Sequence, residues 1–131
     1  MLSWYLDSSA ILKLILSETE SKALINFLSE ETMTSTISRV EVVRTLNRMY
    51  PLSVTKGKEI LSKFLLTPMN PAILSSAENF PESITLRSLD AIQIATVIFL
   101  DKSIEGVVTY DKQMIENAKK LGLKVISPGM K

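Results

Sequence analysis

Short apolar, β-prone runs alternate with amphipathic helical stretches from one end of this 131-residue chain to the other. That alternation restricts the fold more than any other feature. Strands separated by whole helices pair in parallel, and a parallel sheet needs helices on both faces. Residues 4–6 read as a short aromatic and apolar strand ending at Asp7. A helix follows over 8–16, with Ile11, Leu12, Ile15 and Leu16 at helical spacing, and a second over 18–29 puts Ala23, Leu24, Phe27 and Leu28 on one face. Residues 33–37, Thr-rich and β-branched, read as the next strand. Ser38 opens a helix that runs to Met49 and is stopped by Tyr50-Pro51. Residues 55–66 read as another helix, and after the punctuation of Pro68 and Pro71 a short one is expected over 72–78. Residues 89–100 are apolar nearly all round, which predicts a central, fully covered helix. A strand over 106–110, a helix over 112–121 ended by Gly122, and a last strand over 124–126 complete the pattern. No repeat, linker or low-complexity stretch divides it, so a single α/β domain over 1–131 is expected.

The residue types that are missing narrow the chemistry. The chain has no cysteine and no histidine. Disulfides, thiolate metal sites, serine triads, His general bases and His-ligated zinc are therefore excluded together. With only 4 glycines and no G-x-x-x-x-G-K-[ST] or G-x-G-x-x-G, no glycine-rich phosphate cradle exists either. The longest apolar candidate for a membrane span, 91–100, falls short of the ~18 residues required and is interrupted by Gln93 and Thr96. The opening MLSWYLD lacks a basic leader region. A cytoplasmic protein without membrane contact is expected. The net charge of +1, from 15 basic and 14 acidic residues, provides no global attraction for nucleic acid. Arg39, Arg44, Arg48, Lys56 and Lys58 do cluster locally, together with Glu41 and Glu59, as either a solvated helix face or an anion-binding surface.

Four acids, Asp7, Glu41, Asp90 and Asp111, stand where a strand gives way to a helix or where a helix begins. Each has a purely structural explanation. Asp is a preferred helix N-cap, and Ser38-x-x-Glu41 matches a capping box. Considered together, they suggest more. In a parallel α/β sheet ligands gather beyond the carboxyl ends of the strands, where Asp7 and Asp111 must lie and toward which Glu41 and Asp90 point. Crowded carboxylates raise one another's pKa unless a cation joins them, and Arg87, the only nearby cation in local sequence, cannot neutralise four acids. Oxygen ligands alone select Mg²⁺ or Mn²⁺. A metal so held activates water and stabilises charge on a phosphodiester, a route suited to a chain without histidine.

The segments YLDSSAILKL, S-x-V-E-V at 38–42, LRSLDAIQIAT and VVTYDKQM, in this order and at these separations, resemble the PIN-domain ribonucleases, and more narrowly the VapC-like toxins of type II toxin–antitoxin pairs. The resemblance covers essentially the whole chain. It implies a three-layer PIN-like fold with a central, mostly parallel sheet of about five strands flanked by helices. It also implies an acidic pocket for Mg²⁺ or Mn²⁺ and endonucleolytic cleavage of RNA. By position Asp7, Glu41, Asp90 and Asp111 match the family's acids, with Ser9 and Thr109 matching hydroxyls that orient the metal shell and Ser8 a weaker candidate. Gln93 stands where many relatives carry His; it can bond water or RNA but cannot shuttle protons. Lys13, Arg39 and Arg87, with Arg44 and Lys112, are the cations nearest the motifs for RNA, and Tyr110 is the nearest aromatic. A homodimer and a cognate antitoxin are further implied. The alternatives are a PIN-fold nuclease acting in RNA processing or on structured DNA, and a non-catalytic regulatory α/β module. The single acid at the end of the first strand and the absence of any Asp between Asp7 and Asp90 speak against a phospho-receiver.

Overall fold

The computed structural model describes residues 3–28 and 31–131. The end expected for the second helix, at Ser29, lies outside them. Among the described residues five strands form one sheet in the order β3-β2-β1-β4-β5, and every pairing is parallel. The strands are β1 (Ser3–Leu6), β2 (Thr32–Ser35), β3 (Leu65–Thr67), β4 (Ile104–Val108) and β5 (Val125–Ile126). Seven α-helices connect them: α1 (Ser8–Ile15), α2 (Ser21–Phe27), α3 (Thr36–Met49), α4 (Val54–Leu61), α5 (Pro71–Glu78), α6 (Ser88–Leu100) and α7 (Lys112–Lys120).

The sheet divides the core in two, and period-two alternation along its central strands decides which side each residue joins. Leu6 of β1 and Val108 of β4 pack with Ile11, Ile15, Leu46 and Leu61 from α1, α3 and α4. Their neighbours Tyr5 and Val107 face the other way, onto Ile94 and Val97 of α6 and Met114 of α7. Tyr5 and Leu6 are both fully buried, as a central parallel strand covered on both faces requires. On the first side α3 and α4 approach so closely that a Cβ at Gly57 would run into the Leu46 side chain.

The structure differs from the sequence reading at several points, β4 among them, which spans Ile104–Val108 rather than 106–110. The helix expected over 55–66 ends at Leu61, and Leu65–Thr67 pair with β2 as an edge strand. Short apolar runs such as Phe64-Leu65-Leu66 fit either period, and here the open edge of β2 decides the matter. The second strand stops at Ser35, whose hydroxyl accepts from the Ile37 N–H at 3.1 Å and caps α3. Ser38 is therefore inside the helix, and the capping-box reading of Ser38 and Glu41 is wrong. Finally, α6 is not fully covered: Leu89, Ile98 and Phe99 are 45%, 37% and 51% exposed. Among the described residues no helix is long and apolar enough to cross a membrane.

Candidate active site

The candidate residues meet at the carboxyl edge of the sheet. Asp7 directly follows β1, and its N–H still donates to the Val108 carbonyl at 3.2 Å, which keeps it in register with β4. The residue is 3% exposed. One oxygen accepts from the Ser9 hydroxyl at 2.6 Å and from the Ala10 N–H at 3.0 Å, capping α1. The other accepts from the Thr109 hydroxyl at 2.5 Å. Capping and site placement thus describe the same residue. Ser9 in turn accepts from the Tyr110 N–H at 2.9 Å and so ties the ends of β1 and β4 together. Burial pushes the Asp7 carboxyl up to about 6; the Ser9, Thr109 and Ala10 donors oppose this, and the Asp111 charge adds to it.

Asp111 caps α7, its Oδ1 accepting from the Met114 N–H at 3.1 Å. Asp90 is not a cap. Arg87 occupies the N-cap of α6 without a side-chain bond, and Asp90 lies in the first turn, where a negative charge is favoured by the helix dipole. Because α6 leads back to the start of β4, its first turn lies at the same edge as Asp7. The Asp90 carboxyl is raised by partial burial and then by the charges of Asp111 and Glu41, against a smaller lowering by Arg87. The Asp111 charge bears on both Asp7 and Asp90, and the Glu41 charge on Asp90, which links the four as an acidic row at this edge.

Glu41 is held by partners far away in sequence. Its Oε1 accepts from the Ser8 hydroxyl at 2.8 Å and from Gln93 Nε2 at 3.0 Å. Gln93 is buried on α6. Its Oε1 accepts from the Tyr5 hydroxyl and, at 3.0 Å, from the Ser38 hydroxyl, while its Nε2 also donates to Ser8 Oγ at 3.2 Å. Both lone pairs and both protons of the carboxamide are thereby used. The expected role of Gln93 as a contact for water or RNA does not survive this: it is a buried brace for Glu41. The amide cannot be reversed, because a flipped oxygen would face the Glu41 carboxylate. Of the other parts of this brace, Tyr5 reads in the sequence only as a strand residue and Ser38 only as a cap.

The row is not a closed cage. Among the described residues no three acids stand close enough together to surround a cation. The tight convergence expected from the sequence is therefore corrected: Asp7 and Glu41 are each held by hydrogen-bond donors of their own. The donor set, all oxygen, with the Asp7 and Asp90 carboxyls raised by burial and by acidic neighbours, still fits a hard divalent cation. As for the cations named for RNA, Lys13 is engaged: its ammonium meets Glu20 at 2.7 Å and Glu18 at 3.5 Å and lies 5.4 Å from the Tyr110 ring centroid. Tyr110, the stacking candidate, has that ring face covered and donates its hydroxyl to the Pro128 carbonyl at 2.7 Å. Arg39 lines a groove on α3 with Arg44 and Lys58, Arg87 stands beside Asp90, and Lys112 is exposed at the start of α7.

Comparison with known proteins agrees with this architecture. Residues 4–120 match the PIN domain family. Ribonuclease VapC46 of Mycobacterium tuberculosis is 36% identical over 130 residues, covering 98% of this chain and 99% of that protein. Ribonuclease VapC47 of the same species is 32% identical over 132 residues, covering 95% and 96%. A chain of a toxin–antitoxin complex from Klebsiella pneumoniae superposes with a TM-score of 0.78 at 17% identity, covering 96% of this chain and 98% of that one. M. tuberculosis VapC20, a sarcin–ricin loop cleaving toxin, superposes with a TM-score of 0.76 at 15% identity, covering 96% and 100%. At such identities these two structures establish the shared fold.

Proposed function

The chain belongs to the PIN-domain family, among the VapC ribonucleases, and from that premise we propose that it is a divalent-metal-dependent endoribonuclease, the toxin of a toxin–antitoxin pair. The observation that carries the proposal is the row of Asp7, Asp111, Asp90 and Glu41 along the carboxyl edge of the sheet, with Asp7 and Asp90 raised in part by their acidic neighbours. Neighbouring carboxylates of this row, with water completing the shell, would hold Mg²⁺ or Mn²⁺, which would supply activation of water and charge stabilisation at the phosphodiester. The chain's own residues do the positioning. Ser9 and Thr109 fix both oxygens of Asp7, and Gln93 and Ser8 fix one oxygen of Glu41. With Asp7 buried, its charge is poorly screened by solvent, which strengthens its hold on any cation at the edge.

An antitoxin partner and a homodimer complete the proposal. The family and the likeness to a chain of a toxin–antitoxin complex support the first, and the family resemblance alone supports the second.

The test is cleavage of RNA by purified protein with Mn²⁺ present. Asp7→Asn and Asp90→Asn are expected to lose at least about 100-fold in rate, more than the 10–100-fold typical of residues that only support a metal ligand. Cleavage by both variants at the wild-type rate would refute the site. Cleavage of DNA but not RNA would replace the substrate.

A further inference from the structure

A groove of about 380 Å³ on the outer face of α3 begins at Glu41 and is walled by Val40, Arg44, Thr45, Arg48 and Leu89. A second groove of about 340 Å³ shares Val40 and Arg44 with it and adds Arg39 and Lys58. Four cations thus face two adjoining grooves. Among the described residues the one acid lining either groove is Glu41, whose carboxylate is already committed to Ser8 and Gln93. In a chain of net charge +1 this is a strong local excess.

The arginines lack internal compensation. Among the described residues neither Arg44 nor Arg48 forms an ion pair, in contrast with Lys13, which has two acidic partners. They stand at i and i+4 on one helix, where like charges destabilise each other unless an anion lies between them. From Glu41 to Arg48 the helix rises about 10 Å, the length of roughly three phosphates along a stacked strand. Val40 and Leu89, 56% and 45% exposed, add apolar surface to the same groove.

We infer that the single-stranded RNA entering the acidic site continues along α3, with Arg44 and Arg48 binding successive backbone phosphates and Arg39 and Lys58 flanking them. This rests on the ribonuclease proposal for its substrate, and names the path that substrate takes. Phosphate contacts of this kind add affinity and orientation without reading sequence.

The experiment compares wild type, the double variant Arg44→Gln/Arg48→Gln and the charge-preserving Arg44→Lys/Arg48→Lys. Binding of a fluorescent single-stranded RNA is followed by anisotropy over a salt series without divalent metal, and cleavage is followed with Mn²⁺. Loss of two phosphate contacts should reduce the slope of log K against log salt by about 1.4, at about 0.7 per contact on a single strand. The Gln variant should bind at least about tenfold more weakly at low salt. KM should rise with kcat unchanged, and the Lys variant should keep the wild-type salt slope. An unchanged slope and affinity in the Gln variant, while wild type cleaves RNA, would overturn the path and leave the nuclease standing, even if the variant lost a protein partner instead. A wild type that binds RNA through these arginines yet cleaves none would uphold the path and refute the nuclease.

Discussion

The two ends of the acidic row are held in opposite ways. Asp7 is buried at the end of the central strand, and two of its three donors, the Ser9 hydroxyl and the Ala10 N–H, come from the next three residues. The third, Thr109, lies on the adjacent strand end, which the parallel register of β1 and β4 brings alongside. Glu41 is half-buried on a helix, and its donors Ser8 and Gln93 lie 33 and 52 residues away. One carboxylate is fixed by local backbone geometry. The other depends on α3 and α6 being packed at the correct separation. A site assembled this way has one anchor that forms with its strand and one that exists only when the tertiary fold is complete.

The largest effect that sharpens this contrast is expected at the distant brace. Gln93→Leu leaves the Tyr5 and Ser38 hydroxyls buried without their shared acceptor and releases Glu41. At about 1–3 kcal/mol for each orphaned group, urea unfolding should show a loss of roughly 2–6 kcal/mol. RNA cleavage should fall about 10–100-fold, as for other groups that orient a metal ligand. A variant that unfolds at the wild-type urea concentration and cleaves normally would show that Glu41 needs no brace.

A smaller effect, confined to a pH window, belongs to the local anchor. The Asp7 carboxyl is raised from 3.8 to about 6 by folding. Between those values native Asp7 keeps a proton that the unfolded chain has released, so stability falls as pH rises through the window and is level above it. The full difference is about 3 kcal/mol at 1.36 kcal/mol per pH unit. Urea midpoints from pH 4 to 7.5 should show this decline in wild type, and Asp7→Asn should lack it. Parallel curves for the two proteins would mean that Asp7 is not held in a desolvated setting.

The same contrast explains what was legible in the sequence. The β1 and β4 segments and the Asp7 and Asp111 caps depend on spacing within one segment, which periodicity reveals, whereas the hydroxyls at Ser9 and Thr109 were legible only through the family resemblance. The brace does not work that way. Gln93 on a helix that reads as apolar all round looks like an interruption until the fold shows Tyr5, Ser38 and Glu41 around it. Ser38 looked like a cap because Ser35, three residues earlier, is an equally good one, and only the end of β2 distinguishes them. β3 was hidden because its pairing partner is an edge supplied by β2, and nothing within 65–67 separates a strand from the last turn of a helix.

Calorimetric titration of Mn²⁺ into the full chain at pH 7 tests the proposed site most directly. Wild type is expected to bind the ion saturably, and Asp7→Asn and Asp90→Asn to bind it at least about tenfold more weakly while unfolding cooperatively. Wild-type affinity in both variants would contradict the account, because the row of acids would then be a set of helix and strand ends with no cation to share.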